Sequence, residues 1–335
     1  MSTTPITLIP GDGIGPEVIE AAVRVVETLC PDVRWERYPA GQPACNETGE
    51  FLPEALLDSV RRNHIALKGP VTTPVGCGFR SVNVALRKKL ALYAGVRPAR
   101  NRPGLASRYA GVDIVVVREN TEGLYAGIEH ELLPGIVETV KVTTEVASRR
   151  IAAFAFDFAR RWGRRRVTVL HKANIMKLTD GLFLACAREA AKSYPDVAFE
   201  ELLLDNACLQ LVTDPSRFDV LLTDSLVGDL VSDLCAGLVG GIGLAAGMNV
   251  GDGCAVFEAV HGSAPDIAGT GRANPLAAIL TAALMLRHLG RTREAERVEA
   301  AVDAILPDPA SLTPDLGGTA TTREVADAVC RKLQE

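Results

Sequence analysis

The sequence predicts an α/β fold with a largely parallel sheet, and three features predict it. Continuous apolar runs such as VDIVVV (residues 112–117) and RFDVLL (217–222) are typical of strands that are covered on both faces. These runs alternate with segments of helical period, as in chains that pack helices against a parallel sheet. Beyond about residue 275 the chain is rich in alanine and leucine, which favours helices.

The opening segment predicts a strand, a glycine turn and a helix. ITLIP is followed by GDGIGPEVIEAAVRVVETL, in which Pro16 and Glu17 suit the first turn of a helix. GDGIGPE lacks the last glycine of a dinucleotide-binding fingerprint, and Asp12 would place negative charge beside a pyrophosphate. The sequence therefore favours a tight turn over a Rossmann nucleotide site.

Two later segments repeat this order, and one segment departs from it. RRVTVLHKANIMK leads into LTDGLFLACAREAAKSY, and FDVLLTD leads into SLVGDLVSDLCAGLVG. Residues 128–142 (IEHELLPGIVETVKV) instead predict a small antiparallel arm that turns at Pro134-Gly135. Because no flexible linker or repeat is present, we expect domain changes inside strand connections, near 93–100 and 240–250.

Composition narrows the class of protein. With 335 residues, 47% hydrophobic and 23% charged, the chain can bury a large core in two domains or one bilobal unit. A formal net charge of -5 argues against a nucleic-acid or anionic-membrane partner. Eight scattered cysteines without a CxxC pair suit a reducing compartment, and no apolar run reaches membrane-spanning length. A soluble cytoplasmic protein is the expectation.

The segment TDSLVGDLVSD (223–233) raises a question of charge. Asp229 and Asp233 are four residues apart, so a helix would stack their like charges on one face at a cost of a few tenths of a kcal/mol. One explanation is a solvated helix face. The other is that a cation lies between the two carboxylates.

Three arginines suggest an anionic ligand. Arg118 directly follows the VDIVVV run, Arg97 stands at the predicted start of the preceding strand, and Arg87 lies inside a helix predicted to begin near Ser81. Arginines at the carboxyl end of a parallel strand can clamp carboxylates in a bidentate manner. Solvated surface arginines are the alternative.

Two further residues are weak evidence when taken alone. Tyr125 could be a half-buried ring, and Lys172 a lysine at the end of a strand. A lysine partly desolvated near other cations would have the lowered pKa that a general base requires.

The segment HGSAPDIAGTGRANP (261–275) predicts a long polar loop. Compact domains rarely keep such loops without a function. Asp266 could accept hydrogen bonds from a ribose diol, or it could simply cap a turn.

Together these motifs resemble the metal-dependent β-decarboxylating dehydrogenases, the family of isocitrate, 3-isopropylmalate and homoisocitrate dehydrogenases. The resemblance runs from GDGIGPEV to SLTPDLGGTATT and is closest to the NAD-dependent isocitrate dehydrogenases. It is densest in KGPVTTPVGCGFRSVNVALRKKLALYAGVRP, VRENTEGLYAGIEHE, HKANIM, SLVGDLVSDLCAGLVGGIG and HGSAPDIAG.

The resemblance implies a two-domain α/β fold that is not a Rossmann fold. Residues 1–95 plus 248–335 would form the large cofactor-binding domain, and residues 96–247 the small dimerisation domain. A homodimer would share each active site, with a dimerising clasp near 130–142.

The resemblance also implies roles for individual residues. Tyr125 would be the acid that protonates the enol after CO₂ leaves, and Lys172 the base-side residue from the neighbouring subunit. Asp229 and Asp233, with Asp205 reaching across the dimer, would bind Mg²⁺ or Mn²⁺, which favour carboxylate oxygen. The residues expected to bind a small 2-hydroxy polycarboxylate are Ser81, Asn83, Arg87, Arg97, Arg118 and Asn174. Those expected to bind NAD are Thr73, Glu258, His261, Gly262, Ser263, Ala264, Asp266, Ile267 and Asn274.

Cofactor and substrate choice depend on a few of these positions. NADP-using relatives have a lysine–tyrosine pair where this chain has Asp266 and Ile267, so the resemblance implies NAD. Ser81 and Asn83 resemble residues that meet the γ-carboxylate of isocitrate, for which homoisocitrate, 3-isopropylmalate or a phosphonate isostere are alternatives. Ser225 replaces the usual asparagine, and GLAAGMNVG replaces the usual APGANIG type of segment. A regulatory subunit of a heteromeric dehydrogenase is the remaining alternative.

Overall fold

A computed structural model describes residues 3–72, 81–105 and 107–335. The strands in the described residues are β1 (Thr4–Ile9), β2 (Val33–Arg37), β3 (Ile65–Lys68), β4 (Ala94–Arg100), β5 (Asp113–Glu119), β6 (Gly123–Leu133), β7 (Ile136–Val142), β8 (Arg166–His171), β9 (Ala198–Leu203), β10 (Val220–Thr223), β11 (Met248–Val250) and β12 (Ala255–Glu258). The α-helices are α1 (Gly15–Leu29), α2 (Gln42–Thr48), α3 (Glu54–Asn63), α4 (Val82–Lys89), α5 (Glu145–Arg161), α6 (Thr179–Ala191), α7 (Leu204–Thr213), α8 (Ser225–Leu238), α9 (Leu276–His288), α10 (Thr292–Ile305) and α11 (Thr322–Gln334).

The first compact unit comprises residues 1–92, 102–106 and 240–335. Its strands follow the order β2-β1-β3-β12-β11, and all neighbours are parallel except β11 and β12. Helix α9 is buried at every position from Leu276 to Leu286, since α1, α10 and β12 pack around it. The predicted helical tail beyond residue 275 is therefore confirmed, and α9 forms the centre of this unit.

The second compact unit comprises residues 93–101 and 107–239. Its strands follow the order β4-β5-β10-β8-β9, with only β4 antiparallel to its neighbour. Residues 114–119 of β5 are all buried, because α5 and α8 both pack against this strand. The prediction of a largely parallel sheet thus holds, with one antiparallel strand pair in each of these two strand orders.

The predicted antiparallel arm is present and is longer than the sequence indicated. Strands β6 and β7 pair in antiparallel register and turn at Pro134-Gly135, where Gly135 has a φ of 83°. Large apolar side chains are exposed along the arm, namely those of Ile128, Leu132, Leu133, Ile136, Val137 and Val140. Exposed apolar side chains grouped on one hairpin are typical of an interaction site.

The segment 102–106 lies with the first unit, whereas the predicted boundaries assigned it to the small domain. Arg102 forms an ion pair of 2.8 Å with Asp303, and a Cβ on Gly104 would lie 2.9 Å from Pro307. These partners are about two hundred residues away in the chain, so no local pattern indicates them. The cofactor-binding and dimerisation roles given to the two domains stay predictions.

The GDGIG segment is a tight turn, as predicted. Gly11 and Gly13 have φ values of 79° and 58°, and a Cβ on Gly13 would lie only 2.0 Å from the carbonyl oxygen of Ser263. Asp12 accepts hydrogen bonds from the backbone N–H groups of Gln42 (3.0 Å) and Thr72 (2.7 Å). The glycines therefore allow other backbone segments of this chain to pack closely against the turn. Asp12 links the turn to the segments of Gln42 and Thr72. Among the described residues, no helix combines the length and apolar character needed to cross a membrane.

Candidate active site

Helix α8 presents the acids that the sequence singled out. Asp224 begins the helix by accepting a hydrogen bond of 2.9 Å from the N–H of Val227. Val231 and Cys235 are buried in the core of the second unit. Asp229 has a side chain that is 46% exposed, and Asp233 is also exposed. Both acids therefore lie away from the core face of the helix, one turn apart.

Arg118 and Tyr125 both converge on Asp229. Arg118 lies near the end of β5 with its side chain only 3% exposed, and it forms an ion pair with Asp229. The Tyr125 hydroxyl donates a hydrogen bond of 2.6 Å to Asp229 Oδ2. The Arg118 guanidinium carbon lies 4.7 Å from the centre of the Tyr125 ring, a cation–π arrangement. One acid on α8 thus orients both predicted side chains.

Arg118 also carries donors that no described group uses. Its Nε and Nη2 atoms are buried and lack a hydrogen-bond partner among the described residues. An unsatisfied buried donor of this kind costs about 1–3 kcal/mol, which an anion would relieve. Gly228 makes the approach possible, since a Cβ there would lie 2.6 Å from Arg118 Cγ. The sequence analysis overlooked Gly228, although it directly precedes Asp229.

The electrostatics of the acid pair favour a cation. Burial and then the neighbouring charge of Asp229 raise the pKa of Asp233, while Arg97 and Arg118 act to lower it. Burial and the hydrogen bond to Asp229 raise the pKa of the Tyr125 hydroxyl. Two carboxylates one helical turn apart form a donor set that fits a hard divalent cation.

Arg97 occupies a different place from the one predicted. It lies in the middle of β4, which runs antiparallel to β5, and it is buried rather than standing at the start of a strand. The apolar residues around it, which made it conspicuous, extend β4 in both directions.

Lys172 and Asp205 form a second acid–base pair. Lys172 Nζ donates a hydrogen bond of 2.6 Å to Asp205 Oδ1, and this bond lowers the pKa of Asp205. The ion-pair partner of Lys172 is thus a carboxylate. Asn174 is exposed two residues beyond it. Among the described residues, no three potential metal ligands gather in one place, so Asp205 does not join Asp229 and Asp233 within this chain. A role for Asp205 across a subunit interface stays a prediction.

In the first unit, Arg87 belongs to a buried cluster around Glu258. Arg87 Nη2 lies 2.9 Å and Asn249 Nδ2 2.8 Å from Glu258 Oε1, while Lys68 Nζ lies 2.7 Å from Glu258 Oε2. The side chains of Lys68 and Glu258 are only 2% and 8% exposed. The sequence analysis overlooked Lys68, whose signal was a lysine that ends the apolar run IALK before a glycine.

Ser81 and Asn83 begin α4, which confirms the predicted helix start. The Ser81 hydroxyl accepts a hydrogen bond of 3.5 Å from the N–H of Val84 as an N-cap. Asn83 Oδ1 is buried without a hydrogen-bond partner among the described residues. Thr73, a predicted cofactor contact, lies outside the described residues.

The polar loop after β12 carries most of the predicted cofactor residues. Burial lowers the pKa of His261, so its ring is neutral at neutral pH. The Ser263 and Thr72 hydroxyls lie 2.7 Å apart, and Ala264 has a φ of 36°. Gly262 and Asp266 are exposed, Ile267 is partly buried, and Asp266 accepts no hydrogen bond from the described residues.

Asn274 has structural partners at the end of this loop. Its Oδ1 accepts a hydrogen bond of 2.9 Å from the N–H of Leu276 at the start of α9, and its Nδ2 donates one of 2.9 Å to Asp315. The predicted contact of Asn274 with NAD stays a prediction.

A buried arginine with spare donors, set beside two acids at the carboxyl end of a parallel strand, is the arrangement expected of an α/β protein that binds a small anion. Comparisons with known proteins identify the family. The chain matches the family described as isocitrate/isopropylmalate dehydrogenase over residues 5–329. The chain belongs to the isocitrate/isopropylmalate dehydrogenase family, which confirms the resemblance drawn from its motifs.

Individual relatives agree with this assignment. The chain is 50% identical over 335 residues to isocitrate dehydrogenase (NAD) catalytic subunit 5, mitochondrial, of Arabidopsis thaliana, with 99% of this chain and 90% of that protein covered. It is 50% identical over 301 residues to the chloroplastic 3-isopropylmalate dehydrogenase of Solanum tuberosum, with coverages of 90% and 84%. The crystal structure of isocitrate dehydrogenase from Methylococcus capsulatus matches with a TM-score of 0.95 at 50% identity, over 100% of both chains.

Proposed function

We propose that this protein catalyses the NAD-dependent oxidative decarboxylation of isocitrate to 2-oxoglutarate and CO₂, assisted by Mg²⁺ or Mn²⁺. The observation that carries the proposal is Arg118, a buried guanidinium with two unused donors beside Asp229. These donors suit a substrate carboxylate. The relatives support the reaction class, since the Arabidopsis protein is named an NAD isocitrate dehydrogenase subunit.

Asp229 and Asp233 are the residues of this chain that would hold the divalent cation. When bound, such a cation acidifies a coordinated hydroxyl and stabilises negative charge on oxygen. Asp229 is ion-paired with Arg118, so cation binding would free part of that guanidinium for the substrate. Asp205 of a second subunit would supply a further carboxylate.

Tyr125 is the proposed proton donor to carbon. Its raised pKa keeps the hydroxyl protonated at neutral pH, which a general acid requires. The hydrogen bond to Asp229 and the stacking on Arg118 hold the ring in one orientation. Lys172 is the proposed base-side residue, and it would act in the neighbouring subunit.

The loop 261–275 is the proposed NAD site. Asp266 is exposed and accepts no hydrogen bond from the described residues, so both of its oxygens are open to a ribose diol. The same charge would repel the 2′-phosphate of NADP. The neutral ring of His261 adds no competing charge to this loop.

We further propose a homodimer that shares its active sites, with β6 and β7 as the clasp. Six large apolar side chains exposed along that hairpin support this proposal. Sedimentation velocity should give a dimer, and Leu133→Glu with Val137→Glu should favour the monomer. A reducing, cytoplasmic location stays a prediction: the described cysteines are free thiols, whereas the Arabidopsis relative is mitochondrial.

The test is a substrate panel with the purified protein. NADH formation would be followed with isocitrate, homoisocitrate, 3-isopropylmalate and a phosphonate isostere, with NAD and either Mg²⁺ or Mn²⁺. We expect isocitrate to give the highest kcat/KM and 2-oxoglutarate as product. Chelation by EDTA should stop turnover, and added Mn²⁺ should restore it. An analogue turned over hundreds of times faster than isocitrate would refute the proposed substrate.

The same chemistry on an isocitrate analogue is the second candidate. Ser225 supports it, because its buried hydroxyl stands where the family usually has an asparagine. The 50% identity to the Solanum 3-isopropylmalate dehydrogenase supports it too. A regulatory subunit is the third, and it is disfavoured because Tyr125, Lys172 and the three predicted metal ligands are all present. A purified chain that is inert until a partner is added would favour that reading.

A further inference from the structure

Lys141, near the end of the arm strand β7, joins two acids that the proposed mechanism does not use. Its side chain is 14% exposed, and its Nζ atom lies 2.5 Å from Asp180 Oδ1 and 2.5 Å from Asp224 Oδ2. Burial alone lowers the pKa of Lys141, but Asp224 and Asp180 together raise it above its usual value. The ammonium therefore stays charged at neutral pH, which is unsuited to a general base and suited to a permanent bridge.

The first of these acids supports the segment that carries Lys172. Asp180 lies in the first turn of α6 and is 6% exposed. Its Oδ1 atom faces Lys141, and its Oδ2 atom accepts a hydrogen bond of 2.7 Å from the backbone N–H of Lys172. Asp180 thus fixes the backbone from which the proposed base-side residue projects.

The second acid supports the helix that carries the proposed metal ligands. Asp224 is the N-cap of α8, where its Oδ1 atom accepts a hydrogen bond of 2.9 Å from the N–H of Val227. Its Oδ2 atom faces Lys141. Asp229 lies in the second turn of the same helix, so the position of the cap sets the position of the first metal ligand.

We propose that Lys141 is a positioning residue that fixes the Lys172 segment and the start of α8 relative to each other. The inference rests on the proposed function, because it gives Lys141 a role through Lys172, Asp229 and Asp233. Without the ammonium, two nearby carboxylates in a low-dielectric site would repel. The cap and the Lys172 segment would then separate while the sheet beneath them stays intact.

A small cavity borders this bridge and makes a sharp test possible. It has a volume of about 20 Å³ and is lined by Lys141, Asp180, Asp224, Ser225 and Gly123, among others. That is room for about one water molecule. Lys141→Ala would enlarge the cavity by most of the lysine side chain and leave both carboxylates, a site that suits a small alkylammonium ion.

The experiment compares Lys141→Ala with Lys192→Ala. Lys192 forms an exposed ion pair with Glu189 at the end of α6 and serves as the matched control. Positioning partners of metal ligands typically change affinity or activity by 10- to 100-fold. We therefore expect Lys141→Ala to lower kcat and to weaken Mn²⁺ binding, measured by electron paramagnetic resonance, by about that factor. The Tm should stay within a few degrees of the unmodified protein, and Lys192→Ala should match the unmodified protein throughout.

Rescue separates positioning from general damage. Ethylammonium should restore a large part of kcat and of Mn²⁺ affinity to Lys141→Ala, whereas tetramethylammonium at equal ionic strength should not, because it cannot donate hydrogen bonds. Unchanged Mn²⁺ affinity, or a loss that ethylammonium leaves in place, would overturn the proposal. If Lys141→Ala does not fold, Asp224→Asn replaces it, because asparagine still caps a helix but removes one charge from the bridge. Normal Mn²⁺ affinity in Asp224→Asn would likewise overturn the proposal.

Failure of the proposed function would be visible separately. An unmodified protein that turns over none of the panel substrates would refute the proposed reaction. The Mn²⁺ affinities of the variants would still decide whether Lys141 positions the acids of α8.

Discussion

The two compact units each set an arginine against a carboxylate, but in opposite ways. In the first unit Glu258 is 8% exposed and receives hydrogen bonds from Arg87, Lys68 and Asn249. In the second unit Asp229 is 46% exposed, and its partner Arg118 has donors to spare. The first cluster is closed around its carboxylate and fixes the local structure, although the buried Nε atom of Arg87 also lacks a partner among the described residues. The second cluster is open to solvent at Asp229, so a bound cation or anion would replace one partner of the Arg118–Asp229 ion pair.

Burial decides this difference. Removing one partner of a buried ion pair costs about 3–5 kcal/mol, because the other charge is left in a low-dielectric interior. An exposed pair contributes about 0–1 kcal/mol, since water replaces the lost partner. The Asp229 pair is mixed: its acid is half-exposed and its arginine is buried, so a cation or substrate can replace either ion more easily than at Glu258.

The largest effect on stability should come from removing the charge of Glu258 in the closed cluster. Glu258→Gln leaves Lys68 and Arg87 buried without a countercharge, so we expect unfolding free energy to fall by about 3–5 kcal/mol in urea titrations. Glu54→Gln, in an exposed pair with Lys89 and Arg61, is the control and should unfold at the same urea concentration as the unmodified protein. Equal stability of the two variants would contradict the description of Glu258 as closed.

The open cluster should respond in activity. Asp229→Asn removes the charge that a cation needs, so we expect kcat with isocitrate and saturating Mn²⁺ to fall by about 10²–10³-fold. Far-ultraviolet circular dichroism should be unchanged, because the side chain is half-exposed. Asp157→Asn, in an exposed ion pair on α5, is the control. Turnover at the normal rate would remove Asp229 from the proposed metal site.

Asp266 differs from both Glu258 and Asp229, because it accepts no hydrogen bond from the described residues. Asp266→Lys with Ile267→Tyr should offer a cation and a hydroxyl to a 2′-phosphate. We expect the kcat/KM ratio of NADP to NAD to rise by about tenfold or more. The control is Asp252→Lys, on an exposed turn of the same unit. An unchanged ratio would mean that Asp266 does not face the ribose.

The smallest effect should come from breaking the partly exposed ion pair between Arg291 and Asp32. Arg291 donates to Asp32 and lowers its pKa from 3.8 to about 2. The stability that ionised Asp32 contributes is complete above pH 3.8 and is lost as the pH falls towards 2. Arg291→Gln should therefore raise the pH of acid unfolding by about half a unit, measured by circular dichroism. Arg37→Gln, which breaks an exposed pair with Glu20, should leave it in place.

Local patterns predicted most of the fold and the placement of several candidate site residues. The VDIVVV run predicted β5, the Pro134-Gly135 pair predicted the turn of the arm, and Ser81 predicted the start of α4. The four-residue spacing of Asp229 and Asp233 gave the acid pair on α8. These features depend on neighbours in the chain, and the periods of helices and strands record them directly.

Long-range partners could not be read from the sequence. Lys68 meets a glutamate 190 residues away, and Lys141 meets Asp224 83 residues away. Arg102 forms an ion pair with Asp303 of α10, about two hundred residues further along the chain. Asn274 was predicted to contact NAD, and its hydrogen bond to Asp315 depends on a 3₁₀ turn that lies 41 residues further along the chain. Only the folded chain brings these groups together.

A substitution of Gly228 would alter the surroundings of Arg118 without changing any charge. The space that its missing methyl group would fill is the space through which Arg118 passes beneath α8, with Thr223 on the far side. A larger side chain at position 228 would therefore change the reach of that guanidinium. An alanine there would push the helix outward and carry both acids with it, so geometry rather than electrostatics would set the new specificity.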